Sequence, residues 1–134
     1  MIDLKKKSPK LLVIGDLIID QYLWGSCERI SPEAPVQVIN VEKENTVLGG
    51  AGNVVNNLKA LGAGVDVISV IGNDYNSEVL KELLDDIEVD TKYLVTKKNR
   101  ITSKKSRIIA SQQQVIRYDY ESTEEIDIKS QNLI

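Results

Sequence analysis

The feature that most constrains this chain is a glycine cluster placed directly before an apolar segment of helical periodicity. Residues 49–53 read Gly-Gly-Ala-Gly-Asn, and glycines allow a sharp turn and a close approach to a ligand because they lack a Cβ. Asn53 is predicted to cap a helix whose buried face contains Val54, Leu58 and Leu61. Since backbone N–H groups at a helix start point toward a ligand, the segment indicates either a binding turn or a tight connection.

An unbroken apolar run at residues 11–14 predicts a first β-strand that is covered on both faces. Asp16 and Asp20 follow at or just beyond the C-terminal end of this strand. In open α/β sheets, ligands bind at the carboxyl ends of the strands. The two carboxylates are therefore candidate binding groups, unless they are ordinary solvated loop residues.

The middle of the chain alternates between helix and strand patterns. A helix is expected over about 53–61, a buried strand over 65–71, and a second helix capped by Asn73 or Asp74. The apolar positions of that second helix are Val79, Leu80, Leu83 and Leu84. This order predicts an α/β fold with a parallel sheet and right-handed crossovers.

Two segments rich in β-forming residues flank this α/β region. Residues 22–48 alternate between apolar and polar side chains, which predicts antiparallel strands that stand apart from the main sheet. Residues 92–120 contain two further predicted strands, at 101–111 and 114–120. A helix is then expected to begin near Thr123.

Three basic residues of the second segment are candidates for binding an anion. Lys105 and Arg107 are two residues apart on one predicted strand, so they project from the same face, and Arg117 lies on the next strand. A phosphorylated ligand needs cationic or forked donors of this kind. The alternative is a basic strand face that is simply solvated.

Several of these motifs together resemble the ribokinase (PfkB) family of sugar kinases. They are the Gly-Asp-Leu-Ile-Ile-Asp run at 15–20, the glycine cluster at 49–53, and the later Gly62 and Gly72. One departure from the family pattern is Val55, which stands where the family usually has a small residue. The resemblance implies a ribokinase-like three-layer α/β/α fold with a β-strand lid.

A more specific resemblance lies within the family. Residues 28–36 and 113–121 are similar to the kinases that act on heptose 7-phosphate in ADP-heptose and lipopolysaccharide-core synthesis. This implies transfer of the γ-phosphoryl group of ATP, with Mg²⁺, to the anomeric hydroxyl of a phosphorylated sugar. The segments at 22–48 and 92–120 would form the lid and join two copies into a homodimer.

The resemblance also implies roles for individual residues. Asp20 would accept hydrogen bonds from sugar hydroxyls, and Asp16 is a further candidate. Gly49 and Gly50 would offer backbone contacts and a hinge for the lid, and Asn53 would hydrogen-bond the sugar. The residues expected to bind the substrate phosphate are Lys105, Arg107 and Arg117.

The catalytic Asp, anion-hole glycines and nucleotide loops of the family belong to its C-terminal half, and nothing after Asp119 resembles them. The Gly-Ala-Gly-Val-Asp run at 62–66 differs from the family's Gly-Ala-Gly-Asp motif by an inserted valine, and a helix end followed by a strand explains it better. We therefore expect residues 1–134 to be the N-terminal sugar-binding part of such a kinase. By itself it is expected to have no catalytic residue, no tightly bound ATP and no activity, and the missing C-terminal half is its expected partner.

Composition excludes several other classes of protein. A net charge of −3 argues against a general nucleic-acid surface, and no run approaches the ~20 apolar residues that span a bilayer. One cysteine, Cys27, suits a reducing cytoplasm, and the lack of histidine removes His-based acid–base and metal chemistry. Two alternatives remain: a dinucleotide-binding domain, although Val55 occupies its third glycine position, and a non-catalytic dimerisation module.

Overall fold

The computed structural model describes residues 9–132 as seven strands and three helices. In chain order these are β1 (Lys10–Ile14), β2 (Leu17–Ile30), β3 (Gln37–Gly50), α1 (Ala51–Ala60), β4 (Gly64–Gly72), α2 (Tyr75–Asp85), β5 (Leu94–Lys97), β6 (Lys104–Ala110), β7 (Gln113–Tyr120) and α3 (Ile128–Gln131).

The strands form two separate sheets. Strands β1, β4 and β5 make a parallel sheet in the order β1-β4-β5, as the strand–helix alternation predicts. The other four strands have the order β3-β2-β6-β7, so the β-rich segments do stand apart from the main sheet. In this second sheet β2 pairs antiparallel with β3 and parallel with β6, and β7 pairs antiparallel with β6.

One hydrophobic core joins the two sheets and the first two helices. It is formed by apolar residues from β2, β3, β4, α1 and α2, together with the segment after α2. The buried members are Leu17, Ile19, Leu48, Val55, Val67, Ile71, Leu80, Leu84 and Val89. Because β2 and β3 contribute to this core with their inner ends, their outer ends extend beyond it.

Helix α2 begins and packs as the sequence predicts. Asp74 is its N-cap, and its Oδ1 accepts a hydrogen bond from the Ser77 N–H at 2.9 Å. Its Oδ2 also accepts from the Thr102 N–H at 2.9 Å, which ties the start of the helix to the chain before β6. The apolar face is inward, with Leu80 and Leu84 fully buried.

Helix α1 begins earlier than predicted, and Asn53 is not its cap. The N-cap is Gly50, with a φ of 55°, and the helix starts at Ala51. The Ala51 N–H donates to the backbone carbonyl of Asp16 at 2.9 Å, so one of the free N–H groups at the helix start is satisfied by the chain after β1. Asn53 therefore lies within the first turn, where its side chain is exposed.

The buried face of α1 also differs from the prediction. Val54 and Leu61 are 48% and 53% exposed, whereas Gly52 and Val55 are buried. A Cβ on Gly52 would lie 3.0 Å from the Cβ of Leu48. The close approach that this glycine permits turns the face containing Gly52 and Val55 toward the core.

Strand β1 forms as predicted, but it is not covered on both faces. Val13 packs against the core, while Leu12 and Ile14 alternate to the opposite face and are 55% and 62% exposed. Within residues 9–132, β1 is an edge strand of the parallel sheet. Its unbroken apolar composition is nevertheless typical of strands that are buried on both faces.

The last helix also begins later than expected. Helix α3 starts at Ile128 and not near Thr123, because Asp127 supplies the cap by accepting from the Ser130 N–H at 2.9 Å. Hydrogen bonds from Ser130 and the nearby Lys97 ammonium lower the pKa of the Asp127 carboxyl. Across residues 9–132, the longest helix has 11 residues, and none has the length and apolar character needed to cross a bilayer.

Candidate functional site

Asp20 lies on the central strand of the second sheet, between residues of both neighbouring strands. It is opposite Val47 on β3 and Lys105 on β6. Its Oδ1 accepts a hydrogen bond from the Arg107 guanidinium at 2.5 Å, and both side chains are 20% exposed. The structure thus brings together two predicted site residues that are 87 positions apart in sequence.

Gly49 makes room for the Asp20 carboxylate. A Cβ on Gly49 would lie 2.7 Å from Asp20 Cγ and would also overlap its Oδ2. The neighbouring Gly50 adopts a positive φ, and a Cβ there would lie 2.5 Å from the Asp16 carbonyl oxygen. Glycine is therefore required at the two positions for different reasons: Gly49 leaves space for the Asp20 carboxylate, and Gly50 adopts the positive φ of the turn into α1.

Asp16 and Asn53 lie on either side of this turn. The Asp16 carbonyl accepts from the first residue of α1, which fixes residue 16 beside the start of the helix. Asn53 lies three positions after Gly50, in the first helical turn, with its side chain exposed. The backbone of Asp16 therefore contacts the turn formed by Gly49 and Gly50, and Asn53 follows that turn on the helix.

The three predicted basic residues share one face of the second sheet. Lys105 is opposite Asp20 on β2 and Asp119 on β7, and Arg107 is opposite Arg117. Directly opposite residues in neighbouring strands project to the same side of the sheet. This face, which we call the charged face, holds three cations and three carboxylates: Lys105, Arg107, Arg117, Asp20, Asp119 and Glu121.

Each cation of the charged face is paired with a carboxylate of the chain. Lys105 Nζ is 3.2 Å from Asp119 Oδ2 and 3.2 Å from Glu121 Oε2. Arg117 donates to both oxygens of Asp119, from Nε and from a terminal nitrogen, at 2.8 Å each. These bonds, with that from Arg117 as the largest cause, lower the pKa of Asp119 to about 2, while the same carboxylates raise the pKa of Lys105.

An aromatic pair extends the charged face along β2. Tyr22 and Trp24 project to the same side of the strand as Asp20, because the three residues are spaced two apart. Their rings stack with centroids 5.7 Å apart. The Arg107 guanidinium lies 5.1 Å from the Tyr22 ring centroid, and the Lys43 ammonium lies 5.3 Å from that of Trp24.

Neither these aromatic residues nor Asp119 and Glu121 were predicted as site residues from the sequence. Their signal was alternation: Tyr22 and Trp24 follow Asp20 at spacings of two, and the two acidic residues follow Arg117 in the same way. The resulting surface combines a carboxylate acceptor, aromatic rings and cations. Such groups suit a small ligand that carries both hydroxyl and anionic groups.

The fold class is shared with solved sugar kinases. A carbohydrate kinase from Agrobacterium tumefaciens is 27% identical, with a TM-score of 0.67 over 84% of this chain and 35% of that one. An Arabidopsis thaliana ribokinase complexed with ribose and ATP is 20% identical, with a TM-score of 0.62 over 86% of this chain and 36% of that one. The chain therefore has a ribokinase-like α/β fold.

The family follows from the sequence comparison. Residues 8–133 match the model of the pfkB family carbohydrate kinases, and the chain belongs to this family. The predicted resemblance is thus confirmed, and the alternative of a dinucleotide-binding domain is not favoured.

Curated relatives carry a more specific name. The bifunctional protein HldE of Aliarcobacter butzleri is 64% identical over 128 residues, which cover 96% of this chain and 27% of that protein. The bifunctional protein HldE of Sulfurimonas denitrificans is 60% identical over 131 residues, which cover 98% of this chain and 28% of that protein. The chain therefore spans just over a quarter of the length of these relatives.

Substitution of Gly49 tests the contact that positions Asp20. In Gly49→Ala the new Cβ forces the carboxylate to rotate away from Arg107, and we expect a loss of about 1–3 kcal/mol in the free energy of unfolding. Urea denaturation followed by circular dichroism measures it. The matched control is Gly64→Ala, whose Cβ would be in ordinary contact with Lys10 Cγ at 3.5 Å and the Pro9 carbonyl oxygen at 3.8 Å. Equal stabilities of the two variants would contradict the packing role.

Proposed function

We propose that this chain is the acceptor-binding part of a kinase that phosphorylates heptose 7-phosphate. The observation that carries the proposal is the Asp20 carboxylate, which lies against Gly49 at the entrance to α1 and on the same face as three cations. The names of the curated relatives and the family of the chain support it. The complete enzyme would transfer the γ-phosphoryl group of ATP to the anomeric hydroxyl of the sugar.

The residues around the glycine turn would hold the sugar. Asp20 accepts hydrogen bonds from sugar hydroxyls through the carboxylate oxygen that Arg107 does not occupy. Gly49 and Gly50 present backbone groups that no Cβ shields, and Asn53 adds a side-chain amide from the first turn of α1. Asp16, fixed at the same turn, is a further hydroxyl acceptor.

The second sheet would act as the lid, through its segments at 22–48 and 92–120. A lid excludes water and holds the attacking hydroxyl in line with the phosphoryl group. Lys105, Arg107 and Arg117 would bind the 7-phosphate from the charged face. Residues 1–134 would then form the N-terminal sugar-binding part of the kinase domain.

The chemistry at the transferred group would come from the rest of the enzyme. Among the described residues 9–132, no three acidic, cysteine or histidine side chains come together as a metal site. ATP and Mg²⁺ would be bound by the C-terminal half of the kinase domain, which would also supply the base for the sugar hydroxyl. We infer a cytoplasmic location for the reaction, because ATP and a sugar phosphate would be its substrates.

Removal of the Asp20 carboxylate tests the proposed function. In the complete enzyme, Asp20→Ala should weaken heptose 7-phosphate binding about 10- to 100-fold, because a hydrogen bond to a charged acceptor contributes roughly 1.5–3 kcal/mol. Isothermal titration calorimetry measures the change. Asp85→Ala, with the same change of charge at the exposed end of α2, is the control. An unchanged affinity of Asp20→Ala for heptose 7-phosphate would contradict the role of Asp20 in sugar binding.

Neutralising Arg107 tests whether the charged face binds the phosphate group of the sugar. Arg107→Gln should weaken binding of heptose 7-phosphate more than binding of heptose, because only the first ligand carries the anion. Some loss for heptose is also expected, since Arg107 holds Asp20. Arg100→Gln provides the charge control, because that guanidinium bonds the Glu124 carbonyl elsewhere. Equal losses of affinity for both ligands would contradict a role of Arg107 in phosphate binding.

The lid strands would also join two copies of the chain. Strand β7 is an edge strand of the second sheet and is exposed along its whole length. Exposed edges invite pairing with another chain. We expect a homodimer through the lid segments, detected by multi-angle light scattering, and a monomer at every concentration would count against it.

If this chain binds the acceptor sugar and the C-terminal half of the kinase binds ATP, neither part alone should be active. The 134-residue chain should neither bind ATP appreciably nor turn over heptose 7-phosphate, because its proposed groups all serve the acceptor. Mixing it with the C-terminal half of the kinase should restore turnover, measured as ADP release. Turnover by the 134 residues without that half would show that a catalytic carboxylate had been missed.

A further inference from the structure

Three cations of the charged face, Lys105, Arg107 and Arg117, are already neutralised by carboxylates of the chain. They are matched by Asp20, Asp119 and Glu121, so these six side chains carry no net charge. A phosphate that takes the donors already bonded to a carboxylate must displace that carboxylate, because two anions on the same donors repel each other strongly.

The two arginine–carboxylate pairs of the charged face differ in how easily they can be separated. The Asp20–Arg107 pair joins neighbouring strands, and both side chains are only 20% exposed. The Arg117–Asp119 pair lies within one strand, two residues apart, and its side chains are 44% and 31% exposed. Exposed ion pairs contribute little to stability because water screens them. The Arg117–Asp119 pair on β7 is therefore the easier of the two to separate.

Asp119 occupies the position that a phosphate would need. One oxygen accepts from Arg117 Nε, and the other accepts from a terminal nitrogen of Arg117 and from Lys105 Nζ. A phosphate presents the same pair of oxygens to this fork and carries more charge. Because the carboxyl is ionised throughout the physiological pH range, protonation does not remove it from the competition.

We propose that Asp119 is a specificity-determining residue: it holds Lys105 and Arg117 in place and is displaced from both when the 7-phosphate of the sugar binds. This inference rests on the proposed function. It sets a threshold, because only a ligand group with greater charge than a carboxylate gains by the exchange. A sugar without a phosphate leaves the Asp119 pairs intact.

Calorimetry on Asp119→Asn tests the exchange. Removing the competing charge should raise the affinity for heptose 7-phosphate about fivefold, the size expected for an exposed ion pair, and leave the affinity for heptose unchanged. The control is Glu44→Gln, which changes the net charge equally. Glu44 pairs with Leu23 in the same sheet, so its side chain lies on the face opposite Tyr22 and Asp20.

A spectroscopic readout follows the displacement directly. In the wild-type chain, heptose 7-phosphate should shift the Arg117 Nε–H resonance in a ¹H–¹⁵N spectrum, and heptose should not. A weaker or unchanged affinity of Asp119→Asn for heptose 7-phosphate, with wild-type binding intact, would overturn the exchange and leave the proposed function standing. Failure of the wild-type protein to bind either sugar would overturn both.

Discussion

The central position of β2 is the constraint on which the rest of the structure depends. Its inner end supplies Leu17 and Ile19 to the core, and the same strand carries Asp20 onto the charged face. Antiparallel pairing with β3 places Asp20 beside Gly49, and parallel pairing with β6 places it beside Arg107. A slip of one residue in either register would turn the carboxylate to the other face of the sheet.

The site therefore depends on the core beneath it. Leu17, Ile19 and Leu48 are buried on β2 and β3 within three residues of Asp20 or Gly49. Their burial fixes the inner ends of the two strands, and the outer ends extend beyond the core with aromatic and charged side chains. One end of the second sheet is therefore buried at the glycine turn, and the other end is a more exposed extension, which is the part proposed as the lid.

The sequence predicted much of the fold from local pattern. The alternation of strands and helices, the Asp74 cap and the inward face of α2 all follow from signals within a few residues, and the structure has them. The start of α1 did not follow, because its first N–H is satisfied by the Asp16 carbonyl, which is 35 residues away. Exposure of β1 also differed, because burial depends on which layers surround a strand and not on its composition.

The sequence by itself determined the family, the order of the elements and the residue types of the site, because glycine spacing and side-chain alternation are local properties. It also placed Lys105 and Arg107 on one face of a strand. Only the tertiary structure decided which charges meet. Arg107 pairs with Asp20, and Lys105 with Asp119, because these distances depend on the register between strands, which local sequence pattern does not specify.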